Sequence, residues 1–282
     1  MVMPGQRTGS TAGRKTTVME EKRRGWRPGL GTLAGVAALA SAIMALVVAP
    51  PDAIQGQSQR LMYVHVPSAW TAYCAYALVL FSSIAVLLRR GQRWDALARA
   101  GAELGVGMTA LAIVEGSIWG HTVWGVWWTW DARLVTTAVM MFLYLGYLVA
   151  RGLPGSPERV ARRSAWLGIA LFAQVPVVHF SVLWWRTLHQ PPTLLRPDLE
   201  APIAPLMLAA LLTSLVAFML AGAWFVRRRV AQLAPAAAPA NETVEQPAAQ
   251  PAPVRGTPVL ARGDVTPTGA ATAPLLLTRS RL

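Results

Sequence analysis

Apolar and polar residues fall along this chain in blocks and not at a strand period. Six apolar runs, roughly Gly29 to Pro50, Val66 to Leu88, Ala100 to Gly120, Leu134 to Ala150, Ser164 to Trp185 and Ala201 to Val226, are separated by short polar stretches. Each is close to the ~17–25 residues that cross a bilayer as a helix. The pattern predicts an all-α membrane protein, a bundle of six transmembrane helices over residues 29–229. The first run exceeds the ~7–15 apolar residues of a signal-peptide core, so it reads as an uncleaved helix. Residues 1–28 form a basic tail, and residues 230–282 a tail rich in Ala and Pro that cannot bury a core. Both are expected to be disordered.

Basic residues set the expected orientation, because cytoplasmic loops concentrate Lys and Arg. They cluster in the N-terminal tail, in the turn with Arg89, Arg90, Arg93 and Arg99, in the turn with Arg151, Arg159, Arg162 and Arg163, and at Arg227 to Arg229. The other three loops hold only Arg60, Arg133, Arg186 and Arg196. Both termini are therefore expected in the cytoplasm, with loops one, three and five sharing the external face.

Composition agrees with a membrane class: 54% of residues are hydrophobic and only 14% charged. The net charge of +13 is scattered between apolar runs and forms no stripe suited to nucleic acid. A single cysteine, Cys74, excludes an intrachain disulfide and a two-cysteine haem-attachment motif, and its apolar setting suggests packing.

The unusual chemistry lies on the expected external face. The third loop, between helices 3 and 4, contains Trp119, Trp124, Trp127, Trp128 and Trp130, then Asp131 and Arg133, with Gly120 and Gly125 each following a tryptophan. An interfacial aromatic belt needs fewer rings and no such charges. The run is expected to form a platform for a large planar ligand, with Arg133 available to anionic groups at its rim. Loop one leads to His65, with Pro67 expected in the first turn of the second helix, and His179 lies a few residues before the end of the fifth. Ionisable residues within a membrane usually mark function, and imidazole is a normal axial ligand of haem iron.

The run Trp127-Trp128-Thr129-Trp130-Asp131 resembles the "WWD" signature of haem-handling proteins in cytochrome c biogenesis. The segments His65-Val66-Pro67, His179-Phe180-Ser181 and Leu188-His189-Gln190 further resemble the six-helix haem protein C of system I. The resemblance, from about Gly29 to Val226, implies a non-enzymatic protein of the bacterial inner membrane. It implies haem b as cargo, bound on the periplasmic face and passed to a membrane-anchored haem chaperone, with a lyase-like part in forming the covalent adduct left open. It implies a small single-helix membrane subunit and an ABC transporter as further partners. Carried over residue by residue, the axial ligands are His65 and His179, and the haem contacts are Trp119, Trp124, Trp127, Trp128, Trp130 and Asp131.

His121 and Glu115 depart from the expected pattern. Glu115, four residues before Trp119, is expected to pair with His121 or Arg133 beneath the platform. Two other classes compete: a b-type cytochrome, which would bury its haem between helices, and a larger haem ligase, which would need more spans. A transporter would need a pair of broken helices, and the pattern shows none.

Overall fold

The computed structural model describes residues 29–89, 91–189 and 203–233. The expected tails at 1–28 and beyond 233, together with Arg90, Arg196 and the start of the sixth run at Ala201, lie outside the described residues. Those residues contain no strand, only an isolated bridge between Asp52 and Gly56. Among the described residues six spans are long and apolar enough to cross a membrane, as expected. Helix α1 (Leu30–Ile43) is prolonged by a π turn (Met44–Val48), and a 3-10 turn (Gln57–Leu61) leads into α2 (Met62–Arg89). Then come α3 (Gln92–Trp124), α4 (Ala132–Arg151), α5 (Pro157–Leu171), α6 (Gln174–Trp184) and α7 (Pro205–Leu233).

Several boundaries differ from the sequence expectation. Helix α2 begins at Met62, so Pro67 stands inside the helix and not in its first turn. Helix α3 runs to Trp124, which makes Trp119, Gly120 and His121 its last turns and no part of a loop. Nothing there breaks a helix until Gly125, which takes the left-handed conformation at φ 75° and returns its N–H to the His121 carbonyl. The fifth span is not continuous: α5 stops at Leu171 and α6 starts at Gln174. Pro176 lacks the N–H that would bond the Phe172 carbonyl, and that carbonyl accepts from Val175 at 3.0 Å instead.

Small residues bring α2 and α3 together. A Cβ on Gly101 would come 3.0 Å from the Ala75 carbonyl, and one on Gly105 would come 2.4 Å from Tyr76 Cε1. Between helices already in lipid, such close approach supplies packing that the hydrophobic effect does not. Tyr76 fills the gap, bonded to Thr109 at 2.9 Å and stacked on Tyr144 of α4 at 3.7 Å. Helix α7 packs on α1, α2 and α3. The outer surface carries exposed Leu39, Val47, Phe81, Phe142 and Val149, as lipid-facing helices do. Cys74 also lies on this surface and not in the packing assigned to it from sequence.

The two ends of the bundle differ in chemistry. One end carries arginines held by acids and carbonyls: Arg151 on Asp95 at 2.6 Å, Arg229 on Glu103, and Arg163 on the Ala150 carbonyl at 2.8 Å. The other gathers the α1–α2, α3–α4 and α6–α7 connections and contains the candidate site.

Candidate haem-binding site

At this second end a cavity opens to the outside. Its walls include His65 and Tyr73 of α2, Gly116 and Trp124 of α3, Trp127 and Trp128 of the connection, Arg133 of α4, and His189 beyond α6. Two histidines distant in sequence therefore share one cavity. His179 is not among the lining residues; its half-buried ring packs edge-on against Trp70, Tyr73 and Phe180.

Three residues of α3 hold His65. Gly116 makes room for the imidazole, since a Cβ there would stand 2.6 Å from Cε1. Trp119 meets the ring edge-on with centroids 5.8 Å apart. Glu115 places Oε2 3.3 Å from Nδ1. The partner of Glu115 is thus His65, and neither His121 nor Arg133. Trp119 does not line the cavity; its indole N–H donates to Gln55 Oε1 at 3.0 Å and ties the first connection to α3. That connection is shaped by Asp52, whose carboxylate accepts from the N–H groups of Ile54 and Gln55. These bonds hold the Asp52 carboxyl below the usual carboxylate range.

Asp131 organises the segment that carries His189. One of its oxygens caps α4, accepting from Leu134 N–H at 3.0 Å, as an N-cap aspartate should. The other accepts from Thr129 and from Leu188 N–H, both at 3.4 Å, and lies 3.7 Å from His189 Nδ1. At that distance it acts on the imidazole as an electrostatic neighbour, not a hydrogen-bond partner. Asp131 does not line the cavity but fastens the segment after α6 to the start of α4. Trp124 meets the His189 ring edge-on at 5.6 Å. Burial pushes the His189 imidazole down to about 4, aided by the Arg133 guanidinium and opposed by Asp131. It is neutral at ordinary pH and has a lone pair to donate.

The remaining tryptophans take different parts. Trp127 stacks flat on His121 with centroids 4.1 Å apart, and Trp128 lines the cavity with its indole N–H enclosed and unpartnered among the described residues. Trp130 meets Trp128 edge-on but is 85% exposed and away from the cavity. The connection folds back over Gly120, where a Cβ would meet Trp124 and the Val126 carbonyl only in ordinary van der Waals contact. Arg133 donates from Nη1 to the carbonyls of Val178 and His179, docking α4 on α6, while its side chain borders the cavity.

Residues 12–241 match the family model described as Heme exporter protein C. The chain is similar to proteins of that name from Bradyrhizobium diazoefficiens (36% identical over 163 residues, 58% of this chain and 62% of that one) and Haemophilus influenzae (36% over 183 residues, 64% and 74%). It is also similar to a protein from Marchantia polymorpha named as a putative cytochrome c biosynthesis ccmC-like mitochondrial protein (36% over 148 residues, 52% and 62%). The match thus spans less than two thirds of the Bradyrhizobium and Marchantia proteins.

Proposed function

The chain belongs to the Heme exporter protein C family, and on that premise we propose that it binds haem b in the cavity between His65 and His189 and hands it on during cytochrome c maturation. One observation carries this reading: two imidazoles, one from α2 and one from beyond α6, border one cavity lined by Trp124, Trp127 and Trp128. Two imidazoles match the two axial positions of a haem, and indoles offer flat apolar surface to its ring. Arg133 uses Nη1 on two carbonyls and, with five N–H donors in all, has others for a propionate.

Of the possible pairs, His65 with His179 is the one expected from sequence, and His65 with His189 the one the cavity favours. Trp119 and Asp131 then act from outside the haem contact, by fixing connections, and Trp130 stands apart from it. The cavity's position at the helix ends favours a cargo that leaves, in contrast to the cytochrome reading.

The same reading places the protein in the bacterial inner membrane, both termini cytoplasmic and the cavity facing the periplasm. The arginines at the opposite end support that orientation. It takes a membrane-anchored haem chaperone as receiver, beside a single-helix subunit and an ABC transporter, and binding and transfer as the work instead of catalytic turnover. Ferric haem titrated into the purified protein should give a low-spin bis-imidazole spectrum that His65→Ala and His189→Ala each remove and His179→Ala leaves. Loss with His179→Ala and retention with His189→Ala would restore the sequence-based pair.

A further inference from the structure

Glu115 is a carboxylate in the wall of a membrane-spanning bundle. Its side chain is 10% exposed, and both oxygens are enclosed with no hydrogen bond among the described residues. An acid so placed is costly unless something answers its charge. What faces it is His65 Nδ1 at 3.3 Å, itself enclosed and lacking a hydrogen bond among the described residues. Each group is therefore the other's evident partner, and Gly116 and Trp119 fix the ring between them. Such contacts are often long before the ligand arrives and tighten when it does.

An imidazole whose Nδ1 faces a carboxylate keeps its proton there and leaves Nε2 to bind a metal. The second histidine also has a carboxylate near Nδ1, Asp131 at 3.7 Å, but the two carboxylates are not equivalent. Asp131 already accepts from Leu134, Thr129 and Leu188, which disperses its charge. Among the described residues Glu115 has His65 alone. The stronger pull on an Nδ1 proton is thus on the α2 side, where it makes Nε2 the better electron donor. A more basic axial ligand, with a negative charge behind it, stabilises the ferric state over the ferrous.

We propose that Glu115 is a positioning residue that holds His65 through Nδ1 and biases the site toward ferric haem. This rests on the reading of His65 as an axial ligand. The test titrates ferric protoporphyrin IX into the purified full-length protein in detergent, and follows the absorption spectrum and midpoint potential of the complex. Glu115→Gln should keep the low-spin spectrum, raise the midpoint potential and weaken ferric binding on the order of tenfold, the low end of what loss of such a partner does. Its ferrous affinity should change less. Glu115→Asp, with its carboxylate set further back, should fall between the two in potential, and it decides the matter alone if the Gln variant does not fold. A potential and ferric affinity equal to wild type in the folded Gln variant, or in the Asp variant if that one stands alone, would overturn the proposal. A low-spin spectrum retained in His65→Ala is a different failure, that of the ligand assignment itself.

Discussion

Gly116 is bare where the His65 ring lies, so a Cβ added there would stand 2.6 Å from Cε1. The obstacle is the end of a side chain and not backbone, so the imidazole would turn aside and the helices would stay. Gly116→Ala should therefore leave the thermal unfolding of the cargo-free protein near wild type. It should weaken ferric haem binding on the order of tenfold or more, as displaced ligand supports do. Tight binding with an unchanged spectrum would mean that His65 need not lie where this glycine lets it.

The two parts played by Asp131 are separable. Asparagine caps a helix about as well as aspartate, so Asp131→Asn should hold α4 while removing the charge beside His189. Asp131→Ala removes both and should cost a further ~0.5–2 kcal/mol in stability. Thermal melts should separate the two variants, while haem titration finds both weakened. If Asp131→Asn binds haem as wild type does, the charge behind His189 has no bearing on the cargo.

Stability should depend on pH through His189. Burial first, and then Arg133, hold its imidazole down at about 4 in the folded protein, against ~6.5 for an unperturbed histidine. Between those values the unfolded chain takes up the proton and the folded chain does not. The contribution is whole above ~6.5 and is lost as the pH falls toward about 4. Melting temperatures of the cargo-free protein at pH 7.5, 6 and 5 should fall more steeply for wild type than for His189→Gln. Parallel falls would place the imidazole in water.

Orientation can be read with reporter fusions. Those after Gly91 and Gly155 should report the cytoplasm, and one after Gly125 the outside. A cytoplasmic signal at Gly125 would turn the cavity toward the wrong compartment for haem delivery to cytochromes c.

The spans were legible because a bilayer demands about twenty apolar residues at a time, and polar residues mark the ends of each block. Their interruptions were harder to see. The break between Leu171 and Gln174 depends on one missing N–H at Pro176, in a run that stays apolar throughout. The last turns of α3 read as loop because tryptophans and Gly120 suggested one, although the residue that ends the helix is Gly125. At the site, His65, Trp124, Trp127, Trp128 and Arg133 were singled out from sequence and all border the cavity. His189 stands out in the sequence only as part of a family motif, because a histidine in a polar stretch looks less demanding than His179 in an apolar one. The signal lay in the adjoining Trp184 and Trp185, which end the span and leave His189 beyond it. Glu115 was conspicuous, but its partner depends on the register of α2 against α3. That register is set by Gly101, Gly105 and Gly116, and hydropathy does not report it.

The glycine and alanine contact between α2 and α3 bears on how a cargo could leave. Gly101 lies against the Ala75 carbonyl and Gly105 against the Tyr76 ring, so the contact has little slack, and His65 is mounted on it with its ring lodged against Gly116. His189, by contrast, sits beyond the end of α6 on irregular chain, tethered through Asp131 and Trp124. The distance between the two imidazoles is then adjustable from one side only. If the cargo is held between the two as proposed, His65 is the fixed anvil, and any widening of the gap would come from the tether at Asp131, so that the hold of His189 would be the first to loosen.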